Sequence, residues 1–227
     1  RWHCHFIQKL EDEPSIEYAN MHPAYDKLRT APFNELSERW FDAWQNGTTG
    51  FPMIDACMRS LHRNGWINFR MRAMLMSFSS YHLWLDWKRP SIILAKLFTD
   101  YEPGIHYSQC QMQSGTTGIN SIRIYNPIKQ GIDHDPRGIF IRKWIPELAN
   151  CSDKHIHTPW LEKINCPQYP PPIVEEKDAR REASKKIYEI KKMADHKKVA
   201  NAIFKKHGSR KKRVTLKNTE RQRKLSL

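Results

Sequence analysis

The stretch from Asn46 to Trp87 limits the possible folds of this chain more than any other. Asn46-Gly47-Thr48-Thr49-Gly50 is a turn, and Pro52 follows where a helix accepts proline, at a first position whose N–H needs no intrahelical partner. Met53, Ile54, Ala56, Cys57, Met58 and Leu61 then make one helical side apolar, and Asn64-Gly65 stops the helix. A second helix is expected from about Trp66 to Trp87, with Arg70 and Arg72 set among Met71, Met74, Leu75, Phe78 and Leu83. A buried arginine without a partner is costly. Either both arginines face solvent, or acidic partners for them lie elsewhere in the chain.

The flanking patterns point the same way. Residues 1–10 read as the end of a helix, and Glu11 to Pro32 as a long polar surface connection. Leu36, Trp40, Phe41 and Trp44 recur at helical spacing and predict a helix over Glu35 to Gln45. Further helices are expected over Ser91–Thr99, Asp135–Leu148 and Val174–His207, the last of them basic. Between Asp100 and Asn126 the apolar period fails. Gly104, Gly115 and Gly118 punctuate a polar run that reads as one long loop, and loops of that length between helices are usually functional. Strand signals are nearly absent, so the fold class is all-α.

Charge divides the chain in two. Residues 175–227 hold 19 of the 38 Lys and Arg but 7 of the 24 Asp and Glu, so the net charge of +14 lies mostly in the tail. Such a tail fits either a polyanion such as nucleic acid or a solvated extension without a core. The eight tryptophans serve as core or as stacking platforms. The five cysteines form no CxxC pair, a spacing that argues against a zinc site or a disulfide framework and fits a reducing compartment. His134 between Asp133 and Asp135 lacks a converging third ligand, so no metal is expected. No apolar run reaches the roughly 20 residues that span a bilayer. The chain opens at Arg1 inside a helical pattern without an N-cap, from which a missing N-terminal part is expected.

Asp100 and Glu102 open the polar run and are the natural partners for Arg70 and Arg72. Glycines, amides and hydroxyls beside such a pair could approach a ligand closely. A structural ion pair beside an irregular loop looks the same in sequence, and the residues alone leave both readings open.

Several stretches nevertheless resemble the DNA photolyase/cryptochrome family, over most of residues 1–174. Thr49-Gly50-Phe51-Pro52-Met53-Ile54-Asp55-Ala56-Cys57-Met58-Arg59 is similar to the family's TG(Y/F)P…DA-x-MR run. Arg123-Ile124-Tyr125-Asn126-Pro127 with Gln130-Gly131 resembles RIFNP…QG, Phe140 to Leu148 resembles FIRxWLPEL, and Tyr169 to Val174 resembles YPxPIV. The resemblance implies an FAD-binding helical domain over 1–174, followed by a basic extension over 175–227. It implies light-driven repair of pyrimidine dimers in UV-damaged DNA, by a monomer in the cytoplasm. Arg72 and Asp100 would be the ion pair beside the flavin ring, Glu102 would lie near ring and ribose, and Trp66 would line the flavin cavity. Trp2 would stack on the flipped lesion, Arg70 would stand at the DNA-facing mouth, and Trp87 would be the retained tryptophan of the electron-transfer chain.

The chain departs from the family pattern around that site. Phe69 aligns with an asparagine that bridges flavin and dimer, and His106 with the residue facing the flavin's reactive nitrogen. Cys110, Met112 and a position near Asn34 align with tryptophans. Two other functions therefore stand beside repair: a cryptochrome-like blue-light photoreceptor, and a DNA-binding remnant that no longer holds flavin.

Overall fold

The computed structural model describes residues 2–29, 34–162 and 166–208, and of Trp2 only its place in a helix. Ten α-helices run through them: α1 (Trp2–Asp12), α2 (Glu35–Asn46), α3 (Pro52–Asn64), α4 (Phe69–Ser77), α5 (Lys88–Leu97), α6 (Pro103–Ser114), α7 (Pro127–His134), α8 (Ile139–Trp144), α9 (Glu176–Lys191) and α10 (His196–His207). The described residues contain no strand. None of their helices is long and apolar enough to cross a membrane.

Local chemistry sets these ends. Asn34 and Ser37 cap α2 reciprocally, the Asn34 side chain accepting from the Ser37 N–H at 2.8 Å and the Ser37 hydroxyl oxygen accepting from the Asn34 N–H at 2.7 Å. Asn34 is thus a helix cap at the position near which the family carries a tryptophan. Pro52 opens α3, and Gly65, at φ 69°, closes it. Trp44, Ile54, Cys57, Met58, Leu61, Met74, Leu75 and Phe78 form the centre of the core where α2, α3 and α4 meet. The Trp44 indole N–H donates to the Leu75 carbonyl at 3.2 Å.

Five sequence expectations are corrected. The helix expected over Trp66–Trp87 begins at Phe69, because the Asn68 side chain accepts from the Met71 N–H at 3.1 Å and caps it there. It ends in a wide turn over Phe78–His82, after which Trp84 takes a left-handed φ of 52°. Arg29 stands 4.6 Å over the Trp84 ring, a cation–π contact that holds it in place. The surface connection before α2 is in fact pinned to the body. Gln111 is fully buried, accepts from the Met21 N–H at 2.7 Å, and donates to the carbonyls of Ile16 at 2.8 Å and Ala19 at 2.7 Å. The helix expected over Asp135–Leu148 is shorter, Ile139–Trp144, and Asn126-Pro127 caps and opens α7 before it. The basic C-terminal helix is two helices.

The largest correction is α6, which replaces most of the expected loop. Glu102 caps it, accepting from the N–H groups of Gly104 at 3.1 Å and Ile105 at 2.8 Å, with Pro103 in the first turn and Gly115 at φ 77° beyond its end. Gly104 is needed for helix contact. A Cβ there would stand 2.7 Å from the Ile7 Cα, so its absence lets α1 lie against α6.

α9 returns to the body. Its Ala183 and Ile187 are buried against Tyr25 and Tyr81. The buried Glu176 faces His82 at 3.5 Å and Arg180 at 2.9 Å. His207 and Lys206 of α10 both reach Glu13.

Candidate functional site

α4, α5 and α6 leave a cavity of about 300 Å³ between them, with α1 at its edge. Its walls are apolar: Ala73 and Met76 from α4, Leu94 from α5, Phe98 just beyond it, and Ile105 from α6. The polar groups are few. Arg72, Asp100 and Glu102 stand on one side, and His106, Gln109 and Gln113 project from α6. Mostly apolar walls with a few fixed polar groups describe a small-molecule site, and this volume lies at the low end of the usual range.

Arg72 is held from three sides. Its Nε–H donates to the Ile67 carbonyl at 2.8 Å, its Nη2 donates to Asp100 Oδ2 at 2.9 Å, and its guanidinium lies 4.1 Å over the Phe98 ring. The Asp100 side chain is 50% exposed, so this ion pair sits at a mouth and contributes little to stability. Glu102 spends both carboxylate oxygens on capping α6, which fixes the helix face that lines the cavity.

His106 is buried with three aromatic rings edge-on to it, Phe98, Tyr101 and Tyr107, at 6.0, 5.3 and 5.2 Å. Burial pushes its pKa down to about 4, with the positive charge of Arg72 acting the same way against a bond to the Ser91 carbonyl. The imidazole is therefore neutral at pH 7. Its Nε2–H donates to that carbonyl at 2.9 Å, since a carbonyl can only accept.

One buried polar atom of the wall has no counterpart. Gln109 Oε1 is shielded from solvent and makes no hydrogen bond among the described residues. An acceptor in that state costs stability unless something donates to it.

Six residues singled out from the sequence, Trp66, Phe69, Arg72, Asp100, Glu102 and His106, border this one cavity. Trp66 and Phe69 are each 55% exposed at its opening. Arg70 and Trp87 lie elsewhere. Arg70 is exposed on α4 and does not line the cavity. Trp87 is buried in the core, its indole N–H donating to Asn20 Oδ1 at 2.8 Å, and its ring centre is 6.4 Å from that of Tyr107. The side chain of Trp2 lies outside the described residues, as does the basic run 209–227. Sequence reasoning missed His3, Gln109, Gln113 and Phe98 as wall residues. For α6 a signal existed: His106, Gln109, Cys110 and Gln113 recur at one-face helical spacing, in polar residue types.

A second polar centre stands behind α3. Asp55 is fully buried and accepts four hydrogen bonds, from Thr49 N–H at 2.8 Å, Thr49 O–H at 2.6 Å, Gly50 N–H at 3.0 Å and Tyr169 O–H at 2.5 Å. Burial pushes its pKa up to about 6 against those four donors, so it is ionised at neutral pH. Gly50, at φ 80°, faces the Pro171 backbone with no room for a Cβ. Nearby, Arg59 pairs with both oxygens of Glu147 at 2.9 Å.

Comparison with known proteins agrees with this architecture. Residues 1–189 match the family model described as the FAD binding domain of DNA photolyase. A deoxyribodipyrimidine photo-lyase of Streptomyces griseus is 33% identical over 184 residues, which is 79% of this chain and 39% of that protein. Among solved structures, a class III photolyase from Agrobacterium tumefaciens superposes with a TM-score of 0.75 at 30% identity, covering 85% of this chain and 41% of that one. An archaeal photolyase from Sulfolobus tokodaii, solved with two FAD molecules, gives the same TM-score at 30% identity over 83% of this chain and 42% of its own. The chain thus spans about two fifths of the length of these relatives.

Proposed function

Because the chain belongs to the photolyase/cryptochrome family, we propose that it is the flavin-binding part of a light-driven DNA repair enzyme acting on pyrimidine dimers. The observation that carries this reading is that six residues chosen by resemblance surround one cavity of suitable chemistry. Residues 1–174 form the FAD-binding unit in this proposal, and 175–227 a basic extension whose α9 and α10 dock back onto it. The proposal includes a monomeric, cytoplasmic protein with damaged DNA as its partner.

The residues fit the ring end of FAD. The apolar walls suit a flat aromatic system, and the unpartnered Gln109 Oε1 suits an N–H on its edge. A cavity of about 300 Å³ takes one ring system and not a whole dinucleotide. Arg72, Asp100, Glu102, Trp66, Phe69 and His106 are the residues we assign to holding it. When bound, the cofactor supplies a light-driven, returnable electron to the dimer.

The chain's own part is positioning and electrostatics. Arg72 puts a fixed positive charge beside the cavity, held there by Asp100 and the Ile67 carbonyl. His106, neutral and tied to Ser91, adds no second charge. Trp66 and Phe69 offer exposed aromatic faces at the opening, on which a flipped base can stack. Arg70 and Trp2 are assigned to the DNA side, and the basic tail to phosphate contacts that add affinity. Trp87 and Tyr107 are assigned to passing electrons toward the cavity.

One observation favours the photoreceptor reading instead. Phe69 puts an apolar ring at the opening where repair enzymes of the family carry an amide, so a dimer would lose that hydrogen-bonding partner. The test is to mix the full-length protein, flavin-loaded and reduced, with an oligonucleotide carrying one cyclobutane dimer. Dimer content is then compared after blue light and after darkness. Loss of dimer in light only is expected. A flavin-loaded, photoreducible protein that leaves the dimer intact would overturn repair and support the photoreceptor.

A further inference from the structure

The cysteine spacing argued against a zinc site, yet the fold brings two distant cysteines together. The Cys151 and Cys166 thiols and the Glu162 carboxylate place their sulfur and oxygen atoms within 4.8 Å of one another. Cys151 Sγ is 3.7 Å from Glu162 Oε2, and His155 Nδ1 is 3.6 Å from the same oxygen. A tetrahedral zinc ion with bonds of about 2.0–2.3 Å holds its ligands roughly 3.3–3.8 Å apart. The Cys151–Glu162 separation falls in that range.

We propose that Cys151, Glu162 and Cys166 bind one zinc ion, with a water completing the tetrahedron. Two thiolates and a carboxylate suit zinc better than magnesium or calcium, which take oxygen ligands. Both cysteines are buried, while Glu162 and His155 keep side-chain exposures of 20% and 24%, which leaves the ion a way in. The surroundings already orient the ligands. Ser152 donates to Glu162 Oε2 from its N–H at 3.0 Å and its hydroxyl at 2.8 Å. Arg142 donates to the Cys151 carbonyl at 2.6 Å and to Asp153 at 2.8 Å, a cation beside a site whose ligands carry three negative charges. Binding forms two Zn–S bonds and one Zn–O bond and releases two thiol protons to solvent, while the carboxylate binds without losing a proton.

The site shares no residue with the flavin cavity and is independent of the proposed repair. Its role is to fasten the turn at Cys151 to the segment leading into Tyr169. That segment is the one whose hydroxyl reaches Asp55 and whose Pro171 covers Gly50. Zinc here would pin the Tyr169 side of the Asp55 centre.

The test uses the full-length protein, stripped of metal by chelator under reducing conditions, given one equivalent of zinc chloride and passed through a desalting column. Metal analysis of the eluted protein should find one zinc per chain, and zinc should raise its melting temperature. Cys151→Ser and Cys166→Ser should elute with none. Should those variants fold poorly, Glu162→Gln keeps an acceptor for Ser152, and its zinc affinity, read by competition with a chromophoric chelator, should fall about tenfold or more. Wild-type protein eluting without zinc would overturn the site, as would wild-type affinity in Glu162→Gln. So would protein isolated without reductant that carries no zinc and has an intact mass lower by two hydrogens, since that would assign the cysteines to a disulfide.

Discussion

Asp55 and Asp100 are both carboxylates that receive hydrogen bonds from another stretch of chain, and they sit in opposite surroundings. Asp55 is 0% exposed and its four donors come from three residues on two segments. The Asp100 side chain is 50% exposed and, among the described residues, accepts one hydrogen bond, from an arginine that leans over an open cavity. A buried charge with every donor committed has no capacity left for a ligand, so it can only serve the fold. An ion pair at a mouth adds little to the fold and leaves its charges available. The most recognisable motif of the chain, Thr49 to Arg59, therefore builds the scaffold, and the less conspicuous α4–α6 wall builds the site.

The strongest way to break this contrast is Asp55→Ala. Four donors would lose their acceptor inside a closed space, and we expect a loss of about 4 kcal/mol in urea unfolding. A loss near zero would mean that the hub is not what holds α3 to the Tyr169 segment.

A smaller effect comes from His106, which lies between the two extremes, buried yet facing the cavity. Its folded pKa is about 4 against an ordinary 6.5. The unfolded chain takes up this proton near pH 6.5 and the folded chain only near pH 4. Its contribution is therefore complete above pH 6.5 and is lost as pH falls toward 4, by about 3 kcal/mol at the limit. Unfolding measured across that window should show the slope, and His106→Gln should flatten it in part. It will not abolish it, because burial lowers His157 and His196 as well.

The smallest effect on stability belongs to Arg72→Ala, at about 1 kcal/mol or less in thermal or urea unfolding, because its acidic partner is half in water. That variant sharpens the comparison only if flavin affinity, read by fluorescence titration, falls far more than stability does.

The same contrast explains what could be read from the sequence. α2 and α3 were legible because apolar side chains keep a helical period between cap signals, Asn34 or Pro52 at one end and Gly47 or Gly65 at the other. α6 was not, although Glu102-Pro103 and Gly115 mark its ends just as clearly. It packs against α1, α4 and α5, and most of its buried side chains, Ser108, Gln111, Gln113 and Ser114 among them, are polar. Gln111 in particular reads as loop in sequence and is the fully buried clamp on residues 16–21. The site residues on α4 and at Asp100 were legible through resemblance, and through the need of Arg72 for a partner. Gln109 and Gln113 were not, because their one-face spacing is carried by polar residues, which a reading of the apolar period passes over. The cysteine cluster was missed for a related reason: Cys151 and Cys166 meet through turns, which carry no spacing rule.

The central claim is that the flavin ring occupies the cavity between α4, α5 and α6, and Ala73 tests it most directly. Ala73 is buried on α4 and lines that cavity, so Ala73→Phe would place a ring in the space with little demand on the surrounding core. FAD binding to the full-length variant would be measured by fluorescence titration beside its melting temperature. The account predicts a folded protein with FAD affinity lowered at least about tenfold, since the ring competes for the same volume. A folded variant that binds FAD as tightly as the wild type would contradict it and move the flavin elsewhere.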